Sequence, residues 1–240
     1  MRVRYLIKFS KESQIKFVSH LDLMRTIQRV IRRAALPIEY SKGFNPHMAL
    51  SLAQPLAVGM YSTGDYMDIV LTEEVSDSYI KEVFNKNAPE GVKLVEAIKV
   101  KDLVNQKKIP QAMALIDAAK YVISLRYNDT SMLSSELKNL LDEKEWGMIK
   151  KSKSGEKFIN LRDYIKDLSY EILDKKLIIT TTIACGSREN LSAELLAEYI
   201  LKNTTCADLE TFKDIRREEM YIKNNDELVS LYDYIRAASK

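Results

Sequence analysis

The chain holds two histidines, His20 and His47, and each borders a stretch rich in groups that carry or move charge. "SHLDLMRTIQRVIRRAALP" runs from Ser19 to Pro37 and contains Arg25, Arg29, Arg32 and Arg33; "SKGFNPH" follows from Ser41 to His47. Two kinds of chemistry suit these residues. Two imidazoles and the Asp22 carboxylate can pass protons as general acid and base, provided that all three lie within hydrogen-bond reach of one substrate. A row of guanidinium groups instead suits phosphate, which arginine grips through paired N–H bonds.

The elements that must position these groups follow from periodicity. Leu23, Ile27, Val30, Ile31 and Ala34 share one stripe of a helix, and Asp22, Arg25, Arg29, Arg32 and Arg33 fall on the other side. Ser19 with Asp22 three residues on has the form of a capping box, which by itself accounts for Asp22. His20 falls within the apolar stripe, so it is expected to turn inward, either as a hydrogen-bonded core residue or, at the positive end of the helix dipole beside free N–H groups, as part of an anion site. Pro37 is expected to stop the helix, because proline restricts the residue before it. In "SKGFNPH", Gly43 permits positive φ and Asn45-Pro46 favours a turn, which leaves Ser41, Lys42, Asn45 and His47 as polar groups on a constrained loop. Phe44 can stack on a base or plug the core. The segment from Leu36 to His47 spans roughly 35 Å if extended, enough to return the loop to the level of His20. A solvated basic face is the plain alternative for the arginines.

Residues 2–9 alternate as a half-buried strand, with Val3, Tyr5, Ile7 and Phe9 on one side and Arg2, Arg4, Leu6 and Lys8 on the other. Strands over Met48–Leu52 and Asp65–Leu71, a helix from Ser76 or Asp77 to about Asn87, and a strand over Val92–Val100 complete the order β-α-β-β-α-β, the ferredoxin-like signature. In that fold one sheet face stays open, and Arg4 and Lys8 would lie on it, with Asp65 and Asp68 as candidate partners of the basic groups. A composition shift at "VKDLVNQKKIPQ" sets a boundary near residue 105. The remainder reads as a strand, a helix, a hairpin around "KSKSGE", two strands, a helix over Ser192–Leu201, a last strand near Phe212–Ile222 and a short closing helix. The expected class is therefore α+β, with two ferredoxin-like units in tandem, 1–105 and 106–240. "GSREN" before the Ser192 helix offers Ser187 and Arg188 as an anion nest or simply a helix cap.

Charge is unevenly spread. Residues 1–50 carry ten Lys/Arg against three Asp/Glu, residues 51–100 carry four against eight, and residues 101–240 carry 23 of each. A basic first fifth suits a polyanion such as RNA. No apolar run approaches the ~20 residues that span a bilayer, and the charged N-terminus is neither signal peptide nor anchor. Two cysteines without C-x-x-C spacing point to reduced thiols in the cytoplasm. There is no P-loop, G-x-G-x-x-G, H-E-x-x-H or iron–sulfur cysteine cluster. Two histidines and two distant cysteines make no zinc set, so no metal or cofactor is expected in this chain.

"FVSHLDLMRTIQRVIRRAALPIEYSKGFNPHMALSLAQPLAVGMYSTGDYMDI" resembles the bacterial radical-SAM-linked family, a domain of unknown function that stands alone or is fused C-terminal to a radical-SAM protein. "SHLD", the R-x-x-R-R helix and "GFNPH" are the most specific marks; "INLRDYI" and "IRREEM" also look like family positions. Where the family usually has proline and a basic residue after "GFNPH", this chain has Met48 and Ala49, and where it usually has Glu this chain has Asp65. The resemblance implies a division of labour. A radical-SAM partner supplies the iron–sulfur cluster and S-adenosylmethionine, and this chain recognises or positions the substrate. The expected function is thus a non-catalytic accessory protein in RNA modification, binding tRNA or rRNA through Arg4, Lys8, Ser19, Arg25, Arg29, Arg32, Arg33, Ser41, Lys42, Phe44 and Asn45; no DNA preference is readable. The alternatives are an RNA-processing or RNA-modifying enzyme that uses His20, Asp22 and His47, and a protein-binding adaptor whose arginines meet an acidic partner.

Overall fold

A computed structural model describes residues 2–101, 108–152 and 155–239 of the chain. They fall into two compact units, one of the described residues up to Asp117 together with those from Arg217 onward, the other of those from Ala118 to Arg216. The boundary expected near residue 105 lies outside the described residues. The first unit contains β1 (Val3–Lys11), α1 (His20–Arg33), β2 (Leu50–Leu52), β3 (Tyr61–Leu71), α2 (Asp77–Asn87), β4 (Val92–Val100) and the single-turn α3 (Ala112–Leu115). The second contains β5 (Ala118–Arg126), α4 (Leu133–Asp142), β6 (Gly147–Ser152), β7 (Gly155–Asn160), β8 (Ile165–Leu173), β9 (Lys176–Ala184) and α5 (Ala193–Lys202). β10 (Asp214–Asn224) starts there and from Arg217 belongs to the first unit, which β11 (Glu227–Ser230) and α6 (Leu231–Ala238) complete.

In the first unit β1 is central. It pairs antiparallel with β3 on one side and β4 on the other, while the short β2 pairs antiparallel with β3. Val3, Tyr5, Ile7 and Phe9 enter the core with Leu23, Ile27, Val30, Ile31 and Ala34 of the α1 segment and Ile80 and Phe84 of α2. The stripe read from the sequence is thus the buried one: a period of 3.6 meets a period of 2 across one interface. The opposite sheet face is not open as expected. α6 packs on β1 and β4, and α3 on β2 and β3. Leu6 on that face is only 1% exposed, and Leu231 and Ile235 of α6 are buried. The cover comes from the far end of the chain, which local periodicity does not reveal.

α1 ends earlier than Pro37. Ala34 caps it, Ala35 takes φ +50°, and the Leu36 N–H reaches back to the Ile31 carbonyl, so a left-handed residue stops the helix. In the second unit β5, β9 and β8 form an antiparallel sheet. β6 and β7 make a separate two-stranded ribbon. The class is α+β, but a clean tandem ferredoxin-like repeat is not evident: β6 and β7 form a sheet of their own, and β10 is divided between the two units.

Candidate nucleic-acid interface

The start of α1 is built from three interlocked groups. Ser19 takes extended backbone as N-cap, its Oγ accepts the Asp22 N–H at 3.3 Å, and its hydroxyl donates to Asp22 Oδ2 at 2.7 Å. Arg25 Nη1 donates to Asp22 Oδ1 at 3.0 Å. The Ser19 bond, then Arg25, hold the Asp22 carboxyl below its ordinary range. Asp22 is therefore ionised at neutral pH and occupied as a cap. His20 beside it is half-buried.

Beyond Arg25, the solvent-facing side of α1 carries Arg29, Arg32 and Arg33, all exposed. Arg33 donates to the Asn87 carbonyl at the end of α2. Among the described residues, no carboxylate lies within ion-pair distance of Arg29 or Arg32, which leaves two cations facing water.

The chain leaving α1 pairs antiparallel with the end of β3 and then folds into a hairpin. Ile38 bridges to Leu71 and Tyr40 to Met48, while the Glu39 N–H binds the Val70 carbonyl. Ser41 closes the loop: its N–H donates to the His47 carbonyl, and its Oγ accepts the His47 N–H at 2.9 Å. Gly43 has φ +131°. Every residue from Ser41 to His47 is exposed, and Phe44 is fully so. Phe44 is thus a ring held out to solvent, not a core plug.

The hairpin stems beside Val70, which pairs with Arg4 at one end of β1. His20 follows the segment whose Lys16 and Val18 carbonyls are held by Lys11, at the other end of β1. The structure therefore joins the hairpin to the C-terminal end of α1, where Arg32 and Arg33 lie. Among the described residues, no hydrogen bond or ion pair runs from either imidazole to Asp22 or to the other imidazole.

Arg4 and Lys8 are engaged within the first unit. Arg4 donates to the Ile109 carbonyl and lies 3.8 Å from buried Asp68. Lys8 pairs with Glu219, which also accepts the Tyr66 hydroxyl at 2.6 Å. Asp65, expected beside the surface cations, is buried against Arg217, with Nε and Nη2 each 2.9 Å from Oδ1. The same guanidinium donates to the carbonyls of Gln54 and Pro55. Lys11, also buried, donates to the Lys16 and Val18 carbonyls at 2.9 Å each; burial, then Arg217, push its ammonium pKa down, and Asp65 opposes them. Lys11 thus pins the segment that leads into α1, and Arg217 the segment between β2 and β3. Neither was picked out in the sequence as a positioning residue; "IRREEM" marked the neighbourhood of Arg217 without its partner. Ser187 and Arg188 are exposed ahead of α5, whose N-cap Ser192 makes no side-chain capping bond. Among the described residues, no group of three or more His, Cys, Asp or Glu is placed to hold a metal ion, and no helix is long and apolar enough to cross a membrane.

Residues 4–193 match the model of a family described as uncharacterized protein conserved in bacteria, DUF2344. The chain belongs to this family. DUF2344 is often linked to radical-SAM proteins, as the motif resemblance implied. No curated protein matches the DUF2344 chain. Among solved structures it is similar to a chain from a Cbf5-Nop10-Gar1 complex, at 11% identity and TM-score 0.49, covering 97% of this chain and 54% of the other; it spans about half of that chain's length. An unknown protein from Galdieria sulphuraria (10% identity, TM-score 0.26, coverage 96% and 99%) and a putative glycine cleavage system transcriptional repressor (10%, 0.22, 90% and 96%) are also similar. At these scores none of the three supports an argument about fold or function.

One titration tests the packing of the covered face in this DUF2344 chain. Burial raises the Asp68 carboxyl above its ordinary value, opposed by the Ala112 N–H and by Arg4. A raised folded value means that the folded state keeps the proton to higher pH than the unfolded chain. Its contribution is then fully present below the unfolded value and is lost as pH rises through the raised one. The stability of Asp68→Asn relative to wild type should therefore be greater at pH 7 than at pH 4, measured by urea unfolding at both. An equal difference at the two pH values would contradict it.

Proposed function

We propose that this DUF2344 chain is a non-catalytic partner of a radical-SAM enzyme that binds RNA and presents it for modification. The observation that carries the reading is the exposed cationic row of α1, with Arg29 and Arg32 lacking carboxylate partners among the described residues and continuing toward a hairpin that exposes Lys42 and Phe44. Guanidinium groups along a helix can follow a phosphate backbone, while a ring held out by a constrained loop offers a stacking face to an unpaired base. The family's linkage to radical-SAM proteins supplies the enzyme partner. A catalytic role for His20, Asp22 and His47 has less support, since Asp22 is occupied as a cap and the two imidazoles belong to segments anchored at opposite ends of β1.

Replacing Arg25, Arg29 and Arg32 together by glutamine should weaken binding to total tRNA at low salt by roughly ten-fold or more, because each phosphate contact adds to a salt-dependent affinity. Phe44→Ala should weaken a single-stranded oligonucleotide more than a duplex of equal length, as expected for lost stacking. Filter binding or fluorescence anisotropy reads both. Absence of RNA binding by wild type at low salt would sink the proposal.

A further inference from the structure

The second unit contains a cleft that the RNA reading does not use. It lies between α5 and residues 208–213, has a volume of about 700 Å³, and is lined on its apolar side by Leu201, Leu209 and Phe212. Leu209 is 74% exposed and Phe212 51%, so two large apolar side chains border an open hollow rather than filling it. Side chains of this size in contact with water at a concave site are the usual mark of a surface that receives another apolar group.

The charges of the lining narrow the occupant. Glu194, Glu198, Asp208 and Glu210 stand against Lys202 and Lys213, an acidic excess in the lining of this cleft on a chain that is basic overall. Lys213 sits 3.3 Å from Glu198 and 3.8 Å from Glu194, a pair already holding one cation in half-exposed surroundings. The arrangement repels a polyanion and complements a basic group beside an apolar one. We infer that the cleft docks a basic segment of a partner protein, seating one large apolar side chain on Leu201, Leu209 and Phe212 and one cation on Glu194 and Glu198. This interaction is separate from RNA binding by the first unit, and the two can fail independently.

The test uses the full chain, labelled with ¹⁵N, and two capped peptides, Lys-Leu-Phe-Lys and Glu-Leu-Phe-Glu. The basic peptide should shift amide signals of residues 194–202 and 208–213 and bind at least roughly ten-fold more tightly than the acidic one, as charge complementarity requires. Leu209→Ser with Phe212→Ser should abolish the shifts, and Glu194→Gln with Glu198→Gln should weaken them. Lys213→Met removes the internal competitor and should strengthen binding by roughly three- to five-fold, the scale of a partly exposed ion pair. A merely structural Lys213 would not give that gain. Equal binding of the two peptides, shifts confined to other residues, or weaker binding by Lys213→Met would each overturn the proposal. So would an RNA oligonucleotide that shifts the same amides.

Discussion

Arg217→Met should lower the free energy of unfolding by about 3–5 kcal/mol, the range for removing one partner of a buried ion pair. The guanidinium is 1% exposed, and its loss strands the Asp65 carboxylate and the Gln54 and Pro55 carbonyls at once. Lys11, which also feels the Asp65 charge, is tied to the Lys16 and Val18 carbonyls and cannot swing over without freeing them. The double variant Asp65→Leu with Arg217→Met removes both charges and should lose far less than the two single variants added together. Urea unfolding of the four proteins gives the coupling. An Arg217→Met variant within about 1 kcal/mol of wild type would show that the pair does not hold these loops.

Gly64→Ala is expected to cost about 3 kcal/mol, at the upper end of overpacking effects. A Cβ there would sit 2.1 Å from the Glu218 carbonyl oxygen, 3.0 Å from its carbon and 3.2 Å from the Glu219 Cα. All three are backbone atoms, so no side chain can rotate away, and β3 and β10 must separate. The shift falls next to Glu219, which joins Lys8 to Tyr66. Gly43→Ala is the matched contrast: nothing lies within 4 Å of its added Cβ, and only the positive φ is penalised. That costs roughly 1 kcal/mol. Similar losses in the two variants by urea unfolding would contradict the close approach of β10 to β3.

Local signals carried much of the first unit. The alternation of Val3, Tyr5, Ile7 and Phe9 and the stripe of Leu23, Ile27, Val30 and Ile31 placed β1 and α1 correctly, because burial on one face writes itself into neighbouring residues. The Ser19–Asp22 cap was legible for the same reason. Long-range placement was not. Asp65 and Arg217 lie 152 residues apart, and nothing local ties either to the other. The same applies to α6, whose cover over Leu6, Lys8 and Tyr66 turned an expected open face into a packed one. Ser41–His47 was read correctly as a constrained loop, but the direction it takes depends on Ile38 pairing with Leu71, a contact set by the far strand. The arginine row survives as an exposed surface because helical spacing alone decides it.

The most direct measurement is the salt dependence of RNA affinity for wild type and for the Arg25, Arg29 and Arg32 glutamine variant. For wild type, log K should fall linearly with log salt, and the variant's slope should be shallower by about 2, close to 0.7 for each of three lost phosphate contacts on a single strand. Equal slopes for the two proteins would contradict it, placing RNA contact elsewhere or nowhere on this chain.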